Sequence, residues 1–380
     1  PTFGGLATRA SRLDFSLDVQ GRADVERTNP STRTLIRVEM SGGLPWANGD
    51  WLTFFGRETP FVFSEQPALP AGASLINLND NWQVDRKPLL RGSAGDSFSV
   101  FQSRSPSTAP IPYRSVIAAG KTVAPDLVDG SNVTFPVVLS EPMPTSIGVR
   151  LDVPAATQAL RESRPATPVA AAGFVITYRR GLHRIGVVSR GNNGLEAGMQ
   201  VLSADLPATQ PVFQGQVQWG DVFPREELLA TMSARMNVVV SAGLAGGTLE
   251  VPYERSLPLT GSQVNLDVTM SAPRALLVNG EPAVGNRVGV TTTPTLSWAA
   301  PARGVPNRYA ITIYDLADKT LNKNFFTTRT TLEVPPLTLV AGKTYAFVVV
   351  AERGAYDLLR PTYTPAETER VGACSDAFTP

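Results

Sequence analysis

An all-β chain built from several β-sandwiches is the fold this sequence predicts, and three observations predict it. The first is the alternation between Thr295 and Ala351. Tyr309, Ile311 and Ile313 fall on one face of a strand, and Tyr345, Phe347, Val349 and Ala351 fall on one face of another. The second is spacing: strand-like runs recur roughly every 10 to 15 residues, as in sandwiches. The third is punctuation. The 380 residues include 32 Gly and 32 Pro, enough to supply many turns without making the chain low in complexity.

In chain order, the first third predicts strands at Leu13 to Val19, Thr34 to Met40, Asp50 to Phe55, Phe61 to Phe63, Phe98 to Gln102 and Tyr113 to Ile117. Gly42-Gly43, Asn48-Gly49-Asp50, Pro70-Ala71-Gly72 and Gly92 to Gly95 separate them. The Asn48-Gly49 pair suits a tight turn because both residues tolerate positive φ. The middle third predicts strands at Val133 to Leu139, Ile147 to Val153, Phe174 to Tyr178, Leu182 to Ser189, Val212 to Trp219, Val238 to Ser241, Leu249 to Tyr253 and Val264 to Met270. Two short helices interrupt them. One is Ala155 to Ser163. The other is Pro224 to Arg235, where Pro224 and the acidic Glu226 and Glu227 suit a helix start, and Leu228, Leu229, Met232 and Met236 share a helical face.

The predicted organisation is a β-sandwich at 1–120, a second at 121–272 carrying the short helices, and a third at 273–380, with 1–272 as a single domain the alternative division. Arg164 to Ala172 reads as a connection, and Ser271-Ala272-Pro273 as the cleanest boundary. Pro1 to Arg12 and Thr362 to Pro380 lack strong patterning, so they are expected to order only against partners.

Residues from about Ala275 to Gly372 resemble a fibronectin type III domain, an immunoglobulin-like sandwich. The resemblance rests on Pro294-Thr295-Leu296-Ser297-Trp298 with Pro301 just after, on Tyr309-Ala310-Ile311-Thr312-Ile313, on Thr331-Leu332-Glu333-Val334, and on the run from Leu339 through Gly342 to Tyr345 and Ala351. It implies that Trp298 packs in the core and that Tyr345 forms a tyrosine corner. The opening departs from the family: Leu276 to Val284 predicts an extra tight hairpin. An Arg-Gly-Asp is absent, since Arg353-Gly354 is followed by Ala355. Such modules serve many roles, so the resemblance implies fold and not activity. Residues 1–272 resemble no family.

Composition excludes several classes. Net charge is +1, so no global field holds nucleic acid or an anionic membrane. Arg outnumbers Lys by 29 to 5, which suggests a GC-rich bacterial source. No 18-residue apolar window exists, and the start at Pro1 reads as a processed or trimmed chain without a signal peptide in this numbering. Cys374 is the one cysteine, which rules out an intrachain disulfide, and His183 is the one histidine, which nearly excludes histidine-based zinc sites. Neither Gly-x-Ser-x-Gly nor a phosphate-binding glycine motif occurs. No cofactor is expected.

Candidate chemistry is sparse. Arg179, Arg180, His183 and Arg184 surround a turn at Gly181 and form a possible anion grip; a solvated hairpin tip is the plainer reading. Asp126, Asp129, Gly130, Ser131 and Asn132 offer hard oxygens for calcium, yet the full ligand spacing is missing and an Asp-Gly turn explains them. Asn77 to Trp82 is a second polar cluster, which Asx turns explain without a metal. Trp46, Trp51, Trp82 and Trp219 are candidates for a sugar-stacking platform, against the usual burial of Trp. Asn132-Val133-Thr134 is a glycosylation sequon, inert in a bacterial source. No residue is singled out as catalytic or metal-binding.

The functional expectation is a non-catalytic extracytoplasmic bacterial protein, secreted, periplasmic or on the cell surface, with a protein or glycan partner and no nucleic acid. It binds, or serves as a structural part of a larger assembly. The alternative is a carbohydrate-active enzyme with a carboxylate pair in 1–272 and an accessory C-terminal module. Two facing carboxylates in a cleft rimmed by Trp favour the enzyme. A flat apolar or edge-strand surface favours interaction.

Overall fold

In the computed structural model, residues 17–18, 34–56, 61–66, 71, 76–81, 89–106, 111–178, 184–185, 199–223, 228–241, 244, 247–318, 322–354 and 367–380 are described. Among them the regular secondary structure is almost entirely strand, in several sheets, with one α-helix. The first strands are β1 (Leu17–Asp18), β2 (Leu35–Gly42), β3 (Trp51–Gly56), β4 (Phe61–Glu65), β5 (Ile76–Asn81), β6 (Ser97–Arg104), β7 (Arg114–Val123) and β8 (Asn132–Leu139). Strand β2 lies between antiparallel β5 and parallel β8, and β3 lies between β4 and β6.

Two cores explain the residue patterns here. Ile36, Val38 and Met40 alternate along β2 and pack with Leu52, Phe54, Phe98, Val100, Val137 and Leu139 in a first core. Each fully buried side chain of this size contributes about 1.5–3 kcal/mol. A one-residue register slip in β2 would expose all three of its own, so the pairing is fixed. Phe55 and Phe101 point the other way, into a second and larger core. Strands β3 and β6 are therefore covered on both faces, which is why Leu52, Phe54 and Phe55 are all buried, together with the Thr53 between them.

The middle of the chain supplies β9 (Met143–Leu151), α1 (Val153–Arg161), β10 (Val169–Tyr178), β11 (Arg184–Ile185), β12 (Met199–Leu206), β13 (Phe213–Asp221), β14 (Leu228–Val239), β15 (Thr248–Pro258) and β16 (Gln263–Leu266). The helix forms close to the predicted place. Asp152 caps it by accepting a hydrogen bond from the Ala155 N–H at 3.0 Å, and Pro154 occupies the first turn. Ala156, Ala159 and Leu160 are its buried face.

The predicted helix Pro224 to Arg235 is corrected: residues 228–239 are strand β14, paired with β10 and β15, and 224–227 lie outside the described residues. Leu228, Ala230, Met232, Ala234, Met236 and Val238 are all buried, a strict period of two. Leu228, Leu229, Met232 and Met236 satisfy a helical stripe as well, and sheet pairing decides between the two. The predicted connection Arg164 to Ala172 is also shorter than expected. Strand β10 begins at Val169, and the Arg164 guanidinium is tied to the Asp376 carboxylate at 2.5 Å and to the Cys374 carbonyl at 3.1 Å. The Asn77 to Asn81 cluster lies in β5, a strand and not a set of turns, and β12 carries no predicted strand at all.

The remaining strands are β17 (Arg274–Val278), β18 (Glu281–Pro282), β19 (Arg287–Val288), β20 (Thr295–Ala299), β21 (Arg308–Asp315), β22 (Lys323–Thr327), β23 (Thr331–Glu333), β24 (Tyr345–Gly354), β25 (Thr368–Cys374) and β26 (Phe378–Thr379). The expected hairpin is present: Asn279 and Gly280 have φ of 54° and 81° between β17 and β18, the geometry of a two-residue turn with both φ positive. Trp298 and Tyr309 are buried with their rings edge-on at 5.3 Å. The Tyr345 hydroxyl accepts from the Val340 N–H at 3.0 Å.

Thr362 to Pro380 is corrected most. Residues 368–374 form β25, which pairs with β15 on one side and β24 on the other. The large sheet thus runs β19-β26-β24-β25-β15-β14-β10-β12-β7-β6-β3-β4, with β21 and β22 attached through β24. Hydrogen bonding crosses the sequence boundary at Ser271-Ala272-Pro273, whose three residues are all buried. The larger core likewise draws on residues from Phe55 to Phe378.

Candidate functional site

The most elaborate polar arrangement lies where β25 joins the rest. Pairing places Arg255 of β15, Glu369 of β25 and Arg353 of β24 in one row across three strands. The next row, one residue along and therefore on the opposite face, runs Glu254, Arg370, Glu352 and Arg308. Signs alternate in both rows.

Glu369 is fully buried. It accepts from the Thr269 N–H at 2.9 Å, the Met270 N–H at 3.1 Å, the Thr269 hydroxyl and the Arg353 guanidinium at 3.0 Å, with Arg255 at 3.5 Å. Its charge and all its lone pairs are engaged, the condition a buried carboxylate must meet. Burial, then the Glu369 charge, pushes the neighbouring Tyr253 hydroxyl far above its ordinary range. On the other face Glu352 sits 2.7 Å from Arg308 Nε and 2.9 Å from Arg370 Nε. These groups lock strands together.

Asp50 is a third buried carboxylate. Arg104 grips it with two hydrogen bonds of 2.7 Å, Gln102 donates at 2.8 Å, and the Ala47 N–H at 3.0 Å. Burial alone would raise its pKa; the donors outweigh burial and hold it below the usual carboxylate range. Asp315 is held down in the same way by Lys343 at 2.8 Å, against the opposing effect of its burial.

A separate cleft of about 390 Å³ lies between β13 and the start of β7. Tyr113, Ser115, Val116, Glu141, Gln216, Gln218 and Trp219 help line it. Gly220 lets β13 approach: a Cβ there would meet the Val116 carbonyl oxygen at 2.8 Å and Pro142 at 2.6 Å. Glu141 is the one charged side chain among the residues lining this cleft, so a facing carboxylate is missing from it.

The sequence candidates fall into three groups. His183, Arg179 and Arg180 lie outside the described residues, as does Trp82. The Asp126 to Asn132 loop is a turn whose carboxylates tie it to neighbouring segments: Asp126 accepts from the Ser93 N–H at 2.9 Å, Asp129 from the Thr34 hydroxyl at 3.1 Å, and Gly130 takes φ of 81°. Among the described residues no group of three or more His, Cys, Asp or Glu is arranged to hold a metal. Trp46 and Trp219 are buried, and Arg114 sits 4.4 Å over the ring of the half-buried Trp51. None of these three rings is an open stacking surface. Sequence reasoning missed the charge rows and the Gln216–Gln218 cleft wall. The signal for the first was Thr368-Glu369-Arg370-Val371, whose charges match in sign order those of Glu254-Arg255 and Glu352-Arg353.

Cys374 is buried, and its thiol is pushed up to about 12, chiefly by burial. A disulfide reagent at pH 8 is therefore expected to leave the folded chain unlabelled and to modify one thiol per chain in guanidinium. Rapid labelling of the native protein would contradict this placement.

No family model and no curated protein matches this chain. Among solved structures, the full-length RrgB pilus protein from Streptococcus pneumoniae aligns over 93% of this chain and 69% of that one, at 10% identity and a TM-score of 0.13. A score this low carries no argument. The class established by the fold is an all-β protein of several sheets, and among its described residues no helix is long and apolar enough to cross a membrane.

Proposed function

We propose that this chain is a non-catalytic, extracytoplasmic bacterial protein that binds a protein or glycan partner or forms a structural part of a larger assembly. The observation that carries the reading is the use of the buried carboxylates. Asp50, Asp315, Glu352 and Glu369 are each bound to Arg or Lys, so these groups serve cohesion and are not poised for proton transfer. The reading includes the division into 1–120, 121–272 and 273–380, with 1–272 as a single domain the alternative, as segments that share the large sheet and core, and with 273–380 a fibronectin type III-like sandwich. The buried Trp298 and the Tyr345–Val340 hydrogen bond support that assignment.

The rival is a carbohydrate-active enzyme. Incubating the purified chain with xylan, soluble cellulose, chitin oligomers and peptidoglycan is expected to release no reducing ends. Release that disappears in Glu141→Gln would overturn the non-catalytic reading. Protease shaving of intact cells of the source bacterium tests location; a chain recovered only from the cytoplasmic fraction would sink that part.

A further inference from the structure

We infer that the open edge of β13 is a docking site for an extended segment of another polypeptide, which adds there as a further strand. The inference rests on the binding reading above and names its surface.

Strand β13 lies at the end of the sheet β13-β9-β16, paired with β9 alone among the described strands. Its other edge, which pairs with no described strand, can be oriented from two hydrogen bonds. Gln216 lies opposite Gly148, whose N–H turns away to the Ser262 carbonyl at 2.9 Å. Gln216 and Gly148 are thus a non-hydrogen-bonded pair, and the Gln216 backbone groups point outward. The Gln218 N–H confirms the phase, since it donates to the Tyr113 hydroxyl at 3.2 Å and not to β9. By the two-residue period Gln214 and Gln216 present their backbone groups on this edge, while the Gln218 N–H is already taken by Tyr113 and marks the end of the docking stretch.

The edge lacks the usual protection. Nine-residue β13 has no Pro and no Lys or Arg, and its one charge is the terminal Asp221. By contrast β8 carries Pro136, β22 carries Lys323, and β16 and β23 are short, at 4 and 3 residues. Backbone donors and acceptors in a row select an extended chain over a compact ligand. The adjoining cleft, about 390 Å³, gives that chain room beside Gln216 and Gln218. Charge narrows the partner further. Glu141, exposed, is the lone charged group of the cleft lining, so the favoured segment is neutral except for one basic residue set against it.

The test uses the full chain and a fluorescein-labelled peptide, Thr-Val-Lys-Val-Thr-Val-Thr, read by anisotropy and by hydrogen–deuterium exchange. Saturable binding that slows exchange within residues 213–221 is expected. N-methylation of alternate peptide residues should weaken it by about tenfold or more, because two backbone hydrogen bonds are lost. Gln216→Pro removes an outward N–H and no ladder bond, and should weaken binding similarly; Gln216→Lys, which keeps the backbone, serves if the proline variant folds poorly. Exchanging the peptide Lys for Glu should also weaken it. Absence of saturable binding at millimolar peptide, binding indifferent to N-methylation, or protection elsewhere would each overturn the inference. None of these bears on the reducing-end assay, so the two readings fail separately.

Discussion

Glu369→Ala is expected to lower the stability of the folded chain by about 3–5 kcal/mol, the range for breaking a buried ion pair by removing one partner. The side chain is wholly buried, and its loss strands Arg353 and the buried Arg255 together with the Thr269 and Met270 N–H groups. Glu367 remains 2.6 Å from Arg255 and softens the loss at that end only. Glu369→Gln keeps the acceptor oxygen while removing the charge and should fall between wild type and Ala. Urea unfolding followed by tryptophan fluorescence measures both. A loss below about 1 kcal/mol for Ala would mean that the row adds nothing beyond a surface pair.

Asp50→Ala should cost about 3 kcal/mol, the lower end of the same range, because Arg104 keeps partial contact with solvent while Asp50 has none. This site also sets a pH dependence. The folded-state pKa of Asp50 lies below its ordinary value near 3.8, so its contribution is fully present above that value. It is lost as pH falls through the lowered folded pKa. Stability of the wild type should therefore fall more steeply than that of Asp50→Ala below about pH 4. Parallel acid titrations of the two proteins would remove Asp50 as a cause.

Much of the fold was legible because local pattern and burial agreed. Ile36, Val38 and Met40 alternate in sequence and are buried in the structure, and Tyr345 to Ala351 is a central strand. The failures share a physical origin. Leu228, Leu229, Met232 and Met236 fit two periods, and only the neighbours at β10 and β15 choose between them. Glu369 and Arg370 look like surface residues until strands bearing opposite charges are placed on either side. Asn77 to Asn81 has turn chemistry by residue type, yet β2 fixes it as strand. The run Val212 to Trp219 was readable as a strand, but its position at an edge belongs to topology, so the candidate docking surface was not.

The placement of β25 has a consequence for biosynthesis. Strands 248–258 and 345–354 are each made before the strand that joins them, at 368–374. A nascent chain stopped short of that strand would hold two long rims of unsatisfied amides and carbonyls, along with the cations of Arg255 and Arg353. Closure of the sheet must await the ribosome's delivery of the missing piece, which makes the interval before it the window in which chaperone engagement or mispairing between neighbouring chains is most probable.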